Sequence, residues 1–398
     1  MFERKEYLLL ATLALAKFTH IMDFMVMMPL APQIMRLFGI GTQEFGILVS
    51  SYTISAGVMA IISAFFIDRF DRRTLLLATY AGFTVGTLAC ALANSYETLL
   101  AARSLTGIFG GLLNTLSLSI VGDVFQLQKR ATATGVVMSA MSAAAALGVP
   151  TGLYFATLYQ WNTPFLVIVG VSLPIWLGLW YVVPSIRTHI QSDAAQKPRF
   201  FDGVRATFGD WNQVRALLLS MCLTMGQFML IPFIAPFMVK NVGFAEADLM
   251  YIYLFGGAVS LFTGILIGRL ADRYGHRRVF YVAAALSAVP IFWISQLPAA
   301  TPLWWALSAT TVFFIFIGGR FVPATTIVVS SVEARNRASF MSYNTASQQF
   351  AAGASAIISG SILVETPTVL LNFQYVGFIG IILTAAAIAL AYSLRASK

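Results

Sequence analysis

The sequence predicts an all-α membrane protein, with twelve transmembrane helices arranged as two pseudo-symmetric six-helix bundles. Three observations predict it. Of 398 residues, 58% are hydrophobic and only 10% charged, and the mean hydropathy is +0.80. The apolar residues fall into about a dozen runs, each near the ~20 residues that cross a bilayer core. A short charged hinge occurs twice, half a chain apart: AFFIDRFDRRT from Ala64 to Thr74, and GRLADRYGHRRV from Gly268 to Val279. In both copies Asp-Arg-aromatic precedes a basic pair, Arg72 and Arg73, then Arg277 and Arg278. Such a recurrence predicts two related halves. In a hydrophobic chain, two related halves point to a secondary transporter.

The runs must be helical, because hydrocarbon offers no other partner to backbone N–H and C=O groups. Span 1 is expected from Tyr7 to Met35, span 2 from Phe45 to Ile67, span 3 from Thr74 to Ala93, and span 4 from Thr98 to Val121. Span 5 covers Ala131 to Leu158 and span 6 Pro164 to Val183. A polar stretch, residues 184–213, separates an N-terminal bundle (1–183) from a C-terminal one (214–398). There follow span 7 from Val214 to Val239, span 8 from Leu249 to Ala271, and span 9 from Val279 to Leu297. Span 10 runs from Leu303 to Val332, span 11 from Ala338 to Val364, and span 12 from Val369 to Leu394. Within the linker, Phe201, Val204, Phe208 and Trp211 recur at helical spacing. That pattern fits a short amphipathic helix on the membrane surface; a disordered tether is the other reading.

Charge sets the orientation. The net charge is +9, and almost all the basic residues lie in loops on the side of both termini. The opposite loops carry only Arg36 and Lys240. By the positive-inside rule the crowded side is cytoplasmic, so both termini are expected inside. Scattered over short loops, these charges do not form a nucleic-acid face. Cys90 and Cys222 fall inside apolar runs, where they read as free packing thiols rather than a disulfide or metal site. No cleavable signal pattern is expected in the first run. No G-x-x-x-x-G-K-[ST] loop or other catalytic constellation is present, so neither an enzyme nor ATP drive is expected, and no cofactor.

Charges inside spans are costly, roughly 2.5–3.5 kcal/mol each at a helix centre on insertion scales, so those present point to function. Span 1 carries Lys17, His20 and Asp23, three residues apart on neighbouring positions of one helix face. Span 4 carries Arg103 and span 10 carries Arg320. Asp23 is the carboxylate placed deepest in any span, and so the expected proton-coupling group, with His20 as a relay. Arg103 or Lys17 beside it would tune its protonation. A permanent Asp23–Lys17 or Asp23–Arg103 pair holding helices together is the structural alternative. The solute cavity is expected at mid-membrane between the halves. Its expected lining is Phe24, Met27 and Met28 of span 1, Asn114 of span 4, Gln227 and Phe228 of span 7, Arg320 of span 10, and Asn344 and Gln348 of span 11. Met and Phe form an adaptable apolar surface and the amides add a few hydrogen bonds, which suits amphipathic organic molecules. Arg320 would bind an anionic group or tether carbonyls of a broken helix.

The two hinges resemble the loop motif of the major facilitator superfamily, roughly G-x-L-A-D-R-x-G-R-R, found after spans 2 and 8. The second copy matches almost fully; in the first, Ala64 and Asp71 replace the two glycines. LLAARSLTGIFGG in span 4 is similar to the family's R-x-x-Q-G-x-G, with Thr106 at the glutamine position; the resemblance gives Arg103 a part in proton transfer, facing span 1. LGVPTGL in span 5 is similar to the family's antiporter motif, with Ala144, Gly148, Pro150 and Gly152 in matching places. The resemblance implies a proton-coupled exporter of drug-like or sugar-like compounds, sufficient as a monomer, and the compact loops suggest a bacterial inner membrane. It further implies that Asp68 docks on the start of span 11 and Asp272 on the start of span 5. Arg72 is expected to pair with Asp123 and Arg277 with Glu333, closing the cytoplasmic side. An importer or uniporter of the same fold is the first competitor. A non-transporting receptor is the second, and has no need of an intramembrane carboxylate.

Overall fold

Two prolines in each of two corresponding helices set the shape of the far end of the molecule. The structure, a computed structural model, describes residues 2–187, 204–205, 207–333 and 337–395. Span 1 is a helix Arg4–Val26, a turn at Met27–Leu30, and a second helix Ala31–Phe38. Pro29 and Pro32 lack the N–H that would continue the first helix. Span 7 repeats the design: helix Trp211–Phe228, then Ile231–Phe237 with Pro232 and Pro236, then a π-turn Met238–Val242.

The remaining spans follow the expected order. Helices Thr42–Phe66, Arg72–Ala91 and Tyr96–Val124 form spans 2 to 4, and Thr163–Val182 forms span 6. Span 5 comprises Leu127–Ala143, a π-helical turn Ala144–Gly148, and Val149–Leu158. Pro150 explains the wide turn, since its ring and missing N–H displace the regular hydrogen bonds of the preceding turn. Leu249–Tyr274, His276–Ser295 and Leu303–Ser330 form spans 8 to 10, and Phe373–Ser393 forms span 12. Eleven described helices are long and apolar enough to cross a membrane. The twelfth, Arg337–Ile362, has the length, 26 residues, but carries Ser342, Asn344, Ser347, Gln348 and Gln349 along one stretch. That polarity fits a helix with one face toward an aqueous path rather than lipid.

Both termini and the hinge loops share one face, called the terminal face below; the turns after spans 1, 3, 5, 7, 9 and 11 form the far face. Three apolar cores hold the rods together. One belongs to the N-terminal bundle (Leu13, Leu76, Phe83, Leu116, Leu179) and one to the C-terminal bundle (Leu219, Phe280, Ile327, Phe340, Ala387). The third is shared: Val26 to Met28, Phe45 and Leu48 pack with Met229 to Phe237, Phe244 and Phe313 near the far face. The bundles are therefore fused at their far ends and have separate cores toward the terminal face.

Polar contacts repeat this pattern. Across the far face, Arg36 Nη1 donates to Glu246 Oε1 at 2.6 Å. Thr42 Oγ1 donates to the carbonyls of Gly360 and Leu363 at 3.0 Å each, joining spans 2 and 11. Gly46 lies so close to span 11 that a Cβ there would stand 2.4 Å from the Ala356 carbonyl oxygen. The far turn between spans 11 and 12 contains a small antiparallel ladder, Val364–Glu365 with Leu370–Leu371, that the sequence did not lead us to expect. Asn241 extends it by donating to and accepting from the Leu370 backbone at 2.9 and 2.8 Å, and Lys240 pairs with Glu365.

On the terminal face, arginines tie helix ends within each bundle. Arg130 donates to the Phe125 carbonyl at 2.8 Å and Arg337 to that of Val332 at 3.4 Å, each five residues back. Arg73 donates to the Trp180 carbonyl and lies over the Trp180 ring; Arg277 donates to the Leu394 carbonyl. Such end carbonyls have no partner within their own helix. The expected surface helix lies partly outside the described residues, Phe201 included; Phe208 and Trp211 are exposed.

Candidate functional site

Spans 1 and 4 are bridged by polar side chains, and glycines make room for them. Span 4 presents Gly107 and Gly111 to the backbone of span 2, where a Cβ would stand 2.3 and 2.5 Å from the carbonyl oxygens of Tyr52 and Ala56. Gly110 faces His20 and Tyr52, and a Cβ there would stand 2.4 Å from the Tyr52 hydroxyl. A larger residue at any of the three would push span 4 outward.

Three rungs tie span 1 to its neighbours, two of them to span 4 and one to Tyr52 of span 2. The first is an ion pair: Arg103 Nη1 donates to Asp23 Oδ2 at 2.8 Å, and both side chains are almost wholly buried, 1% and 0% exposed. Thr87 Oγ1 donates to Asp23 Oδ1 at 3.2 Å from span 3, so both carboxylate oxygens are occupied. The second rung is His20 Nε2 with the Tyr52 hydroxyl at 2.8 Å. The Arg103 guanidinium stands over the Tyr52 ring, 4.5 Å from its centroid, so the first two rungs touch through Tyr52. The third is Lys17 Nζ donating to Asn114 Oδ1. His20 Nδ1 and Arg103 Nε are buried without a hydrogen-bond partner.

This arrangement sorts the expected residues. Asp23 meets Arg103, and Lys17 turns away from both toward Asn114. Phe24 stacks on Tyr52 at 5.1 Å and reaches Phe228 of span 7 at 5.9 Å, closing the path between the halves. Met27 and Met28, expected on the cavity wall, are 1% and 3% exposed and belong to the shared far core, because the helix breaks after Val26 and carries them into it. Gln227 and Gln348 are half-buried, and Asn344 is buried with its Oδ1 unpartnered. Arg320 lies inside the C-terminal bundle: its guanidinium donates to Ser287 Oγ, Thr384 Oγ1 and the Leu223 carbonyl at 2.9, 2.8 and 3.2 Å. It ties spans 7, 9 and 12 together, the tethering alternative rather than a cavity anion site. Tyr52 and Thr87 were not singled out from the sequence; a lone tyrosine in the middle of span 2 was the available signal.

The span-5 motif packs against span 1 on both sides of Asp23. Gly148 faces Met22 and Gly152 faces Val26, where added Cβ atoms would stand 3.1 and 2.8 Å away; Pro150 is buried between them. On its other side the π-turn meets Gly257 of span 8, whose Cβ would stand 2.7 Å from the Ala145 backbone.

At the hinges, Arg72 Nε donates to Asp123 Oδ2 at 2.9 Å, the expected pair, and Arg72 Nη1 to the Ile67 carbonyl at 2.9 Å. The placement of the Asp68 side chain lies outside what the structure describes. Asp272 does not dock on span 5: its side chain is 78% exposed and stands 3.7 Å from His276 Nε2. Arg277 goes to the Leu394 carbonyl, and Glu333 is exposed. For Arg277 and Glu333 the reason is register. Arg277 corresponds to Arg73, not to Arg72, and the place matching Asp123 at the spacing of Arg130 and Arg337 is Ser330.

Similarity to known proteins agrees with this architecture. The chain is 24% identical over 253 residues to the uncharacterized MFS-type transporter YceJ of Bacillus subtilis (strain 168), which covers 64% of each chain. It is 24% identical over 241 residues to the putative transporter AraJ of Escherichia coli (strain K12), across 61% of this chain and 59% of that protein. It thus spans somewhat under two thirds of the length of each of these relatives. Among solved structures, a D-xylose-proton symporter superposes with a TM-score of 0.81 at 16% identity, over 98% of both chains, and so shares the fold. The sequence profile of the Major Facilitator Superfamily matches twice, at residues 13–219 and 216–398, once for each bundle. Since these two matches together span residues 13–398, the chain is a multi-pass membrane protein and belongs to the Major Facilitator Superfamily.

Proposed function

We propose that the protein exports a small organic compound in exchange for protons, by alternating access. Residues 184–213 would link the halves (1–183 and 214–398), and the terminal face would lie in the cytoplasm of a bacterial inner membrane. The observation that carries this reading is the buried Asp23–Arg103 pair. A carboxylate with both oxygens engaged, in a seam between helices that must shift as the bundles rock, gains or loses a proton when those contacts change. The hydrogen bond between His20 and Tyr52 supports a route for that proton along the seam. The span-5 motif supports exchange, since its glycines seat span 1 on either side of Asp23 and its π-turn contacts span 8. Movement between the bundles is thereby conveyed to the acid.

The far-face contacts support a reading in which this state is closed on that side and solute enters from the terminal face. The contact expected of Asp272 is absent from such a state for that reason, whereas Arg72–Asp123, present here, joins two ends of one bundle and does not by itself close the terminal face. The amphipathic character of the lining, Phe24 and Phe228 beside Asn114, Gln227 and Gln348, supports an organic solute of drug or sugar size.

The test is proton flux in proteoliposomes under an imposed pH gradient, with a panel of organic compounds, for wild type and Asp23→Asn. Compound-triggered proton release from the wild type, lost in the variant, is expected. Compound movement without proton movement in either protein would leave a uniporter and reduce Asp23 to a structural residue.

A further inference from the structure

We propose that the transported compound carries an anionic group, a carboxylate or a phosphate ester, and that Lys17 is the residue that recognises it. The proposal rests on the transport reading above and adds the substrate class.

The first ground is charge. Deep within the described spans lie three cations, Lys17, Arg103 and Arg320, and one carboxylate, Asp23. Asp23 is taken by Arg103 and Thr87. Arg320 is held by two hydroxyls and a carbonyl inside its own bundle. Lys17 has a single partner, the neutral amide oxygen of Asn114. An ammonium has three donors and no acceptor, so two of its hydrogens remain for another group. Lys17 is 3% exposed, and a charge held there without a counter-charge is unfavourable unless something negative visits it.

The second ground is position. Lys17 lies about 20 Å along its helix from the terminal end, by a rise of 1.5 Å per residue, near the middle of the membrane. It shares a helix face with His20 and Phe24, at spacings of three and seven residues. Phe24 meets Phe228 at the boundary between the bundles, so this face is turned toward the axis along which the solute must pass. His20 Nδ1 is buried there without a partner, a second polar atom available to the same ligand.

The third ground is the absence of a competing acid. Among the described residues near this seam, the groups facing Lys17 and His20 from spans 2, 3 and 4 are Tyr52, Phe83, Gly110 and Asn114, none of them acidic. A cationic solute would meet an uncompensated positive charge, and a neutral one would leave the ammonium as it is.

The experiment uses four ring compounds of similar size: benzoate, phenyl phosphate, benzyl alcohol and benzyltrimethylammonium. Thermal stabilisation of the purified full chain is measured for wild type, Lys17→Gln and Lys17→Arg, each against its own ligand-free melting temperature. At least one of the two anions is expected to stabilise the wild type. Lys17→Gln should need a tenfold or higher concentration for half of that effect, while Lys17→Arg stays within about threefold of wild type. The proposal is overturned if neither anion acts on the wild type, if the alcohol or the ammonium compound acts as strongly, or if Lys17→Gln responds to the anions unchanged. Failure of proton coupling would show differently. In proteoliposomes, flux of the active anion with no pH change, indifferent to Asp23→Asn, would sink the exchange reading and leave the substrate class standing.

Discussion

Phe24 and Phe228 are the same residue in the same place of the two halves, and their rings meet 5.9 Å apart. The separation between them along the chain equals that between Asp68 and Asp272 of the hinges, and each is followed within a few residues by the proline break of its span. The pseudo-symmetry axis therefore runs between two aromatic rings. One position earlier the symmetry fails: Asp23 stands opposite Gln227. The acid belongs to one half only.

An aromatic pair adds about 0.5–1.5 kcal/mol beyond its buried area. Because this pair exists only when the far ends are together, Phe228→Ala should shift the balance toward the far-open state by roughly 2- to 12-fold. Spin labels at the exposed far-face positions Leu92 and Trp304 would report it as a growing long-distance population. An unchanged distance distribution would remove the pair from the gate.

Eleven rods could be read from the sequence because hydrophobic length specifies them, and span 11 because its run between two polar loops still has the length of a span despite its polarity. That Asp23 needs a cationic partner was legible too, since a lone charge is costly there, but spacing alone left Lys17 and Arg103 both open. What the sequence hid was register and neighbours. Arg72 and Arg277 looked equivalent because each opens a basic pair, yet the inserted His276 moves the second pair by one position, and Arg277 does the work of Arg73. Tyr52 was hidden because a tyrosine in an apolar run reads as packing until a guanidinium and an imidazole are found against it. Met27 and Met28 were misplaced because prolines announce a break without telling which way the chain leaves it.

The Asp23–Arg103 pair is buried, so removing one partner should cost more than removing both. Arg103→Gln leaves a carboxylate uncompensated and is expected to lower stability by about 3–5 kcal/mol. The double variant Asp23→Asn, Arg103→Gln should recover much of that loss while remaining inactive in proton exchange. Melting temperatures of the four proteins in detergent give the coupling directly. A double variant no more stable than Arg103→Gln alone would mean that the two charges do not answer each other.

Asp71 replaces a glycine of the loop pattern and has acquired its own task. Its carboxylate caps the helix of span 3 at the Arg73 N–H, 3.0 Å, and accepts from Ile186 N–H at 3.1 Å, from Ser185 Oγ and from Arg187 Nε, fastening the end of span 6. Burial pushes its pKa up, but these donors outweigh burial and hold it below the ordinary carboxylate value. The stabilisation is thus complete above the unfolded value of about 3.9 and disappears as pH falls through the lower folded value. Asp71→Ala should cost about 1 kcal/mol at pH 7, a typical loss for a helix cap. The difference from wild type should shrink in melting curves taken below about pH 4. A difference that stays constant into acid would show that the charge of Asp71 is not what fastens the loop.

Closure of the far face depends on Gly46 more than on its ion pair. Arg36 is 69% exposed, and such surface pairs are worth at most about 1 kcal/mol. Thr42 is buried, so Thr42→Val removes the hydroxyl hydrogen donated to the Gly360 and Leu363 carbonyls, at roughly 1 kcal/mol, and weakens the seal modestly. At Gly46 the obstacle is steric: a Cβ would stand 2.4 Å from the Ala356 carbonyl oxygen, part of a helix backbone that cannot swing aside as a side chain would. Gly46→Ile should therefore hold spans 2 and 11 apart and trap the far-open state, where each bundle is intact but the shared core is split. A cysteine placed at Phe24 would then react with a membrane-impermeant thiol reagent from the far side, and Glu246→Gln alone would raise that reactivity only a few-fold at low salt. Equal labelling of Gly46→Ile and its parent would show that spans 2 and 11 can close by another path.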